Sequence, residues 1–363
     1  MKIHKATTKW HWIFLFFWLI TLAASTQADT NKTYRLSTED DLENRYINYI
    51  EPYWKNHGER GSLKAEDDLT LSFIKFEIDN EKGAIVISSG RTESYLKYQE
   101  LVYDLTQNGY SVYMHDHRGQ GFSERILKED PHKGHVDSFD DYVNDLDLFI
   151  NKVVLSKPHE KLYLLAHSMG GGIATRYIEK YPDVFNAAAL SSPMHAPNAK
   201  ILVSPEGGCL WFRATDWVCK DCYAGFKAKP YTPKPFDNNE YTHSKKRYAR
   251  LLKIYSENSE IQLGGPTRGW AGQACAASKD MQKDAEHIKI PVLVLQASKD
   301  SAVTPEGQEE FCRILKEKTG ISCDGNKGDK PIIIEGAYHE LFIENDKYRI
   351  DAITRILEFF EHN

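Results

Sequence analysis

The chain has 363 residues, 41% of them hydrophobic and 27% charged, with a formal charge of -6. That length suits one large domain or a core domain carrying an insertion, and the apolar content rules out wholesale disorder. No basic block of the kind that tracks a phosphate backbone is present, which excludes nucleic acid as a partner.

The first residues form a separate object. Lys2, Lys5 and Lys9 precede a thirteen-residue apolar run, Trp12 to Ala24, and Thr26-Gln27-Ala28 offers a small-x-Ala cleavage site. The pattern predicts a secretory signal peptide over residues 1–28, cleaved after Ala28, and a periplasmic or secreted protein. An uncleaved anchor is the alternative, but the run falls short of the ~20 residues needed to span a bilayer. Cleavage removes three lysines and no acid, leaving a charge of -9.

Next along the chain, Leu69–Ile78 alternates as a half-buried strand does. Ala84–Ser88, Ser111–His115, Leu162–Ala166, Ala187–Leu190, Pro291–Gln296 and Pro331–Glu335 are short β-prone runs. They read as buried strands of a parallel sheet covered on both faces. Between them Ser138–Val154 has a good N-cap in Ser138 and acids at Asp140 and Asp141. Its Phe139, Tyr142, Val143, Leu146, Phe149 and Ile150 recur at helical spacing. Gly171–Tyr181 and Ile350–Phe360 read as further helices. The alternation predicts an α/β fold with a mostly parallel sheet flanked by helices.

From about Met194 to His287 the alternation breaks, with four cysteines, three tryptophans and a Pro-rich piece at Lys229–Pro235. The expected division is a helical segment at 29–68, core at 69–195, a cysteine-containing cap insertion at 196–286 and the rest of the core at 287–363. Six cysteines in an exported chain favour disulfides. Proximity pairs Cys312 with Cys323 and leaves Cys209, Cys219, Cys222 and Cys275 to pair among themselves. Cys219-Lys-Asp-Cys222 is also a redox or zinc spacing, but no second ligand pair follows it, so no metal site is expected.

The informative string is Leu162-Tyr163-Leu164-Leu165-Ala166-His167-Ser168-Met169-Gly170-Gly171-Gly172. An apolar strand runs into a serine between small residues and then into a helix, which is the context of a nucleophile elbow. Ala166 stands where the usual pattern has its first glycine. The partners should follow in the order Ser, acid, His. Asp300 follows the β-prone run Pro291–Gln296, and His339 follows the run Pro331–Glu335. Asp324, Asp329 and Asp346 are weaker acids because no buried strand directly precedes them.

From about Trp54 onward the chain resembles the lysophospholipase and monoacylglycerol-lipase branch of the α/β-hydrolases. The resemblance is carried by Gly90–Tyr98, Asp116–Ser123, Gly134–Phe139, Ala166–Gly170, Ser192–Met194 and Gly336–Glu340. It implies an α/β-hydrolase fold, a Ser168–His339–Asp300 triad and no cofactor. By position, the oxyanion hole would use the backbone N–H groups of Met169 and Arg91, although Ser89 departs from the lipase pattern; the Arg91 guanidinium is also a candidate for a substrate phosphate, with a solvated surface arginine as the alternative. Asp116–Ser123, despite Gly119 and Gly121, then reads as a structural turn rather than a nucleotide loop. The implied substrate is a lysophospholipid; a monoacylglycerol or another carboxylic ester is the alternative, and a non-catalytic lipid-binding protein is a third reading. Peripheral membrane contact would accompany such a substrate. Trp211, Phe212, Trp217, Tyr223, Phe226 and Trp270 are expected to fill the cap for the most part, or to line an acyl tunnel.

Overall fold

The β-prone runs become strands of one sheet in the computed structural model, which describes residues 34–198, 205–215, 218–225 and 229–363. They are β1 (Glu59–Lys64), β2 (Thr70–Phe76), β3 (Gly83–Ser88), β4 (Tyr110–His115), β5 (Leu162–His167), β6 (Ala187–Ser191), β7 (Val292–Ala297) and β8 (Ile332–Ile334). Their order is β1-β2-β4-β3-β5-β6-β7-β8. From β4 to β8 every neighbouring pair is parallel; β2 runs antiparallel to both β4 and β1. All residues of β3, β4, β5 and β7 are buried, as strands covered on both faces must be. Residues 1–28, which carry the predicted signal peptide, lie outside the described residues.

The helices are α1 (Leu42–Arg45), α2 (Glu51–His57), α3 (Gln99–Gln107), α4 (Phe139–Lys152), α5 (Met169–Lys180), α6 (Pro205–Thr215), α7 (Lys245–Glu257), α8 (Arg268–Asp284), α9 (Pro305–Thr319) and α10 (Asp346–His362). Helix α4 begins where Ser138 and Asp141 form a reciprocal capping box. Its six predicted apolar residues are all buried, each stabilising the fold by about 2 kcal/mol. Helix α5 packs so close to the sheet that a Cβ on Gly170 would lie 2.2 Å from the Ser88 carbonyl oxygen. Only glycine fits there.

The helical segment expected at 29–68 needs correction. Helix ends at His57, and Glu59–Lys64 pairs with β2 as an antiparallel edge strand. That strand is largely exposed and lacks apolar alternation, so its pairing rests on backbone hydrogen bonds that composition does not advertise. Gly61 lies beneath the ring of Phe73, where any side chain would collide.

Between β6 and β7 lie α6, α7 and α8. The interval is not only a cover: Ala274, Ala277 and Met281 of α8 belong to the same apolar cluster as α4 and α5. Helix α7 is held by the buried Arg247, which donates to Glu100 on α3 at 2.9–3.1 Å and to Asp346 on α10 at 2.9 Å. The six cysteines stand in three pairs at disulfide geometry. Cys312 lies opposite Cys323 as expected, while Cys209 joins α6 to Cys275 on α8 and Cys219 pairs with Cys222.

Candidate active site

Parallel strands deliver their following loops to one edge of the sheet, and that is where the chemistry-bearing residues collect. Ser168 follows β5, Asp300 follows β7 and His339 follows β8. The structure joins these three in one hydrogen-bonded chain. The Ser168 hydroxyl lies 2.9 Å from His339 Nε2, and His339 Nδ1 lies 2.6 Å from Asp300 Oδ2. With Nδ1–H donating to the carboxylate, Nε2 is left to accept the serine proton.

Each member is fixed by its surroundings. Ser168 has φ 52° and ψ -120°, a left-handed conformation that costs a non-glycine residue about 1–3 kcal/mol. Its neighbours hold it there: Ser168 N–H donates to the Ser191 carbonyl, and the Ser168 carbonyl accepts from Gly171 and Met194. Ala166 is wholly buried at the end of β5, and its methyl is accommodated in place of the usual glycine. Asp300 accepts two backbone N–H groups on Oδ1, from Ala302 at 2.7 Å and Val303 at 3.0 Å. That leaves Oδ2 for the histidine. The weaker acids have other work or none: Asp324 caps its own turn, Asp346 meets Arg247, and Asp329 is exposed.

The two residues expected to supply backbone donors line the same space. Met169 opens α5, so its N–H has no carbonyl one turn back. In the loop after β3, Gly90 N–H donates to Glu93 and Thr92 N–H to Gln120. The intervening Arg91 N–H has no protein acceptor among the described residues. Met169 and Arg91 line one cavity of about 610 Å³ with Ser168 and His339.

The predicted cap aromatics divide. Phe212 and Trp270 line this cavity and are buried against the main apolar cluster, whereas Trp211 packs beside Phe212 with Arg268 over its ring. Tyr223 is not part of the wall, and Trp217 and Phe226 lie outside the described residues. Asp116–Ser123 is a turn built on a buried carboxylate: Asp116 accepts from Tyr95 N–H at 2.6 Å, Phe122 N–H at 2.7 Å and Ser94 Oγ at 3.0 Å. Gly121, at φ 56°, lies against that carboxylate where no side chain fits.

Sequence reasoning missed a charged cluster behind the imidazole. Lys97 Nζ contacts the carboxylates of Glu93, at 2.5 Å, and Glu340. His167 Nε2 lies 3.2 Å from Glu340, and its ring centroid is 4.8 Å from that of His339. Burial alone would push the His339 pKa down, but the Asp300 carboxylate outweighs it, Glu340 adds to the rise and Lys97 opposes it. Glu340 is held well below the usual carboxylate range: burial works against its charge, but Lys97 and then His167 prevail. The signal was faint, since Glu93 and Lys97 form an ordinary i,i+4 pair of the kind that sits on exposed helices.

Comparison with known proteins agrees with this architecture. Residues 79–346 match the family described as serine aminopeptidase, S33. Lysophospholipase L2 of Escherichia coli K12 is 36% identical over 312 residues, covering 86% of this chain and 90% of the relative. Monoacylglycerol lipase of Mycolicibacterium smegmatis is 25% identical, covering 75% of this chain and 87% of the relative. A soluble variant of monoglyceride lipase from Saccharomyces cerevisiae superposes with a TM-score of 0.64 at 19% identity, over 85% of this chain and 96% of that one. The chain therefore belongs to the serine aminopeptidase S33 family of α/β-hydrolases, in the branch that holds lysophospholipases and monoacylglycerol lipases.

Proposed function

We propose that this protein is a serine carboxylic-ester hydrolase that releases the fatty acid of a lysophospholipid through an acyl-enzyme. The observation that carries the reading is the Ser168–His339–Asp300 hydrogen-bonded chain opening into the cavity. The 36% identity to a lysophospholipase over most of the chain directs the substrate class. In this mechanism Ser168 Oγ attacks the ester carbonyl while His339 Nε2 takes its proton. Asp300 holds the imidazole in the tautomer that can do so and stabilises the imidazolium. The Met169 and Arg91 N–H groups meet the developing oxyanion, each worth ~3–4 kcal/mol to the transition state. His339 then protonates the leaving glycerol oxygen, and water, activated by the same histidine, releases the acid from Ser168.

The similarity to monoacylglycerol lipases favours a second substrate, an uncharged monoacylglycerol, cleaved by the same residues. Fatty-acid release from a lysophosphatidylcholine and a monoacylglycerol of equal chain length, with Ser168→Ala as control, separates them. Serine-dependent release favouring the lysophospholipid supports the first reading. The reverse preference makes the protein a monoacylglycerol lipase, and no serine-dependent release from either overturns both.

Export belongs to the same proposal. Three cysteine pairs at disulfide geometry suit an oxidising compartment, and residues 1–28 have the signal-peptide pattern. Sequencing the N-terminus of the protein from periplasm and medium tests it, with Asp29 expected first. On the cap, Leu210 and Val218 are 68% and 59% exposed, apolar contacts suited to resting on a lipid surface.

A further inference from the structure

Among the described residues, the deeply buried arginines Arg118, Arg247 and Arg349 each have a carboxylate: Asp145 at 2.6 Å, Glu100 at 2.9 Å and Asp104 at 2.7 Å. Arg91 does not. Arg91 lines the active-site cavity, where among the described residues its side chain makes a single hydrogen bond, from Nη1 to the Gly264 carbonyl at 2.9 Å. Its guanidinium lies 5.4 Å from the centre of the Trp270 ring. A guanidinium carries five N–H donors, so four are left without a protein acceptor among the described residues. Arg91 is half-buried; the hydration it has lost disfavours its charge, and no carboxylate among the described residues compensates. A half-buried cation with unused donors facing a cavity is open to an anion that arrives with the ligand.

The rest of the wall bears on which anion. Lys97 is already neutralised by Glu93 and Glu340, whereas Lys229 and Lys234 line the cavity from exposed positions. The chain as a whole is acidic at -6, so this positive wall runs against the overall charge. A planar fork of donors suits the oxygens of a phosphate, and the lysines add attraction at the mouth. The scissile ester and the phosphate of a lysophospholipid share one glycerol, so both fall within a single cavity.

We propose that the Arg91 side chain, assisted by Lys229 and Lys234, binds the phosphodiester of the substrate head group and is what selects lysophospholipids over monoacylglycerols. The proposal rests on the ester-hydrolase reading above and deepens it. Arg91 then acts twice, its N–H toward the oxyanion and its guanidinium toward the phosphate. Substitution of the side chain leaves the N–H in place, so the quantity to follow is a ratio rather than an activity.

The test uses the full-chain protein and short-chain substrates presented as monomers, which removes effects of charge on micelle binding. The ratio of kcat/KM for the lysophosphatidylcholine to that for the monoacylglycerol is measured for wild type, Arg91→Gln, Arg91→Lys and the double variant Lys229→Gln/Lys234→Gln. Loss of the charged hydrogen bonds in Arg91→Gln should lower the ratio about 30-fold. Arg91→Lys should lower it less, and the exposed double variant in the same direction without a folding cost. Glycerol 3-phosphate should compete with the lysophospholipid in wild type and fail to do so in Arg91→Gln. Competition by inorganic phosphate alone, with a ratio unmoved by any variant, would mark a free-anion site and overturn the head-group assignment. A ratio within threefold of wild type in Arg91→Gln and in the double variant overturns the proposal while leaving ester hydrolysis standing. If the wild type cleaves neither substrate through Ser168, it is the hydrolase reading that has failed.

Discussion

Asp300→Asn is a sharp perturbation because the loop dictates how the asparagine must lie. Asp300 Oδ1 accepts from the N–H groups of Ala302 at 2.7 Å and Val303 at 3.0 Å. In the variant the amide oxygen has to occupy that position, since the opposite orientation would set an NH₂ against two N–H donors at a cost of about 1–3 kcal/mol per unmet group. The amide nitrogen then faces His339 Nδ1, where the carboxylate oxygen had been at 2.6 Å. An NH₂ there donates, so Nδ1 must accept and the proton moves to Nε2. Nε2–H can no longer take the Ser168 proton, although the 2.9 Å approach is preserved. The expected loss in kcat is about 10,000-fold, or about 5 kcal/mol in the barrier. The assay is single-substrate ester hydrolysis across pH, with circular dichroism and thermal melting to show that the fold persists. Activity depends on neutral His339, whose pKa is raised overall because Asp300 outweighs the opposing effect of burial. The acid limb of the residual activity should therefore move to lower pH in the variant. A folded Asp300→Asn protein within tenfold of wild-type kcat would refute the tautomer argument and the assignment of Asp300 with it.

Other consequences are more local. Glu340→Gln removes a half-buried negative charge that helps to raise the His339 pKa while leaving Lys97 paired with Glu93. The acid limb of kcat/KM should move to lower pH, and a limb that stays put or rises would contradict the electrostatic role given to the cluster. Gly170→Ala would place a methyl 2.2 Å and 2.4 Å from the Ser88 and Ser89 carbonyl oxygens, which are main chain and cannot rotate away. Denaturant titration should show a loss above ~3 kcal/mol, the upper range for overpacking; a loss below 1 kcal/mol would mean that the elbow relaxes freely. Replacing both Cys312 and Cys323 with alanine opens a link of sequence separation 11 between fully buried positions. Chain-entropy reasoning expects about 3 kcal/mol less stability under non-reducing conditions, and equal denaturation midpoints would show that the pair is not bonded in solution.

The order of the sheet-forming runs, the capped face of α4 and the three residues of the hydrogen-bonded chain were legible in the sequence because each rests on a local rule. A buried parallel strand must be apolar on both faces, a helix must start at a cap, and a loop acid or histidine after such a strand emerges at the same edge as Ser168. The edge strand Glu59–Lys64 was not legible, since its pairing is made by main-chain groups and only Leu63 among its side chains packs against the main apolar cluster. Nor was the partner of Cys209, because Cys275 is brought to it only when α6 lies along α8.

Charge shows the same division. Lys97, Arg247 and Arg349 are indistinguishable from surface cations along the chain, and Arg91 stands out there only by its place in the loop after β3. Tertiary packing buries Lys97, Arg247 and Arg349 against carboxylates contributed by Glu93, Glu340, Glu100 and Asp104, and leaves Arg91 half-buried in the cavity wall with no carboxylate beside it among the described residues. Residue type and spacing therefore determined which chemistry the chain carries. Which charges lose water, and which of them keep no partner, depends on long-range contacts and was decided only by the folded structure.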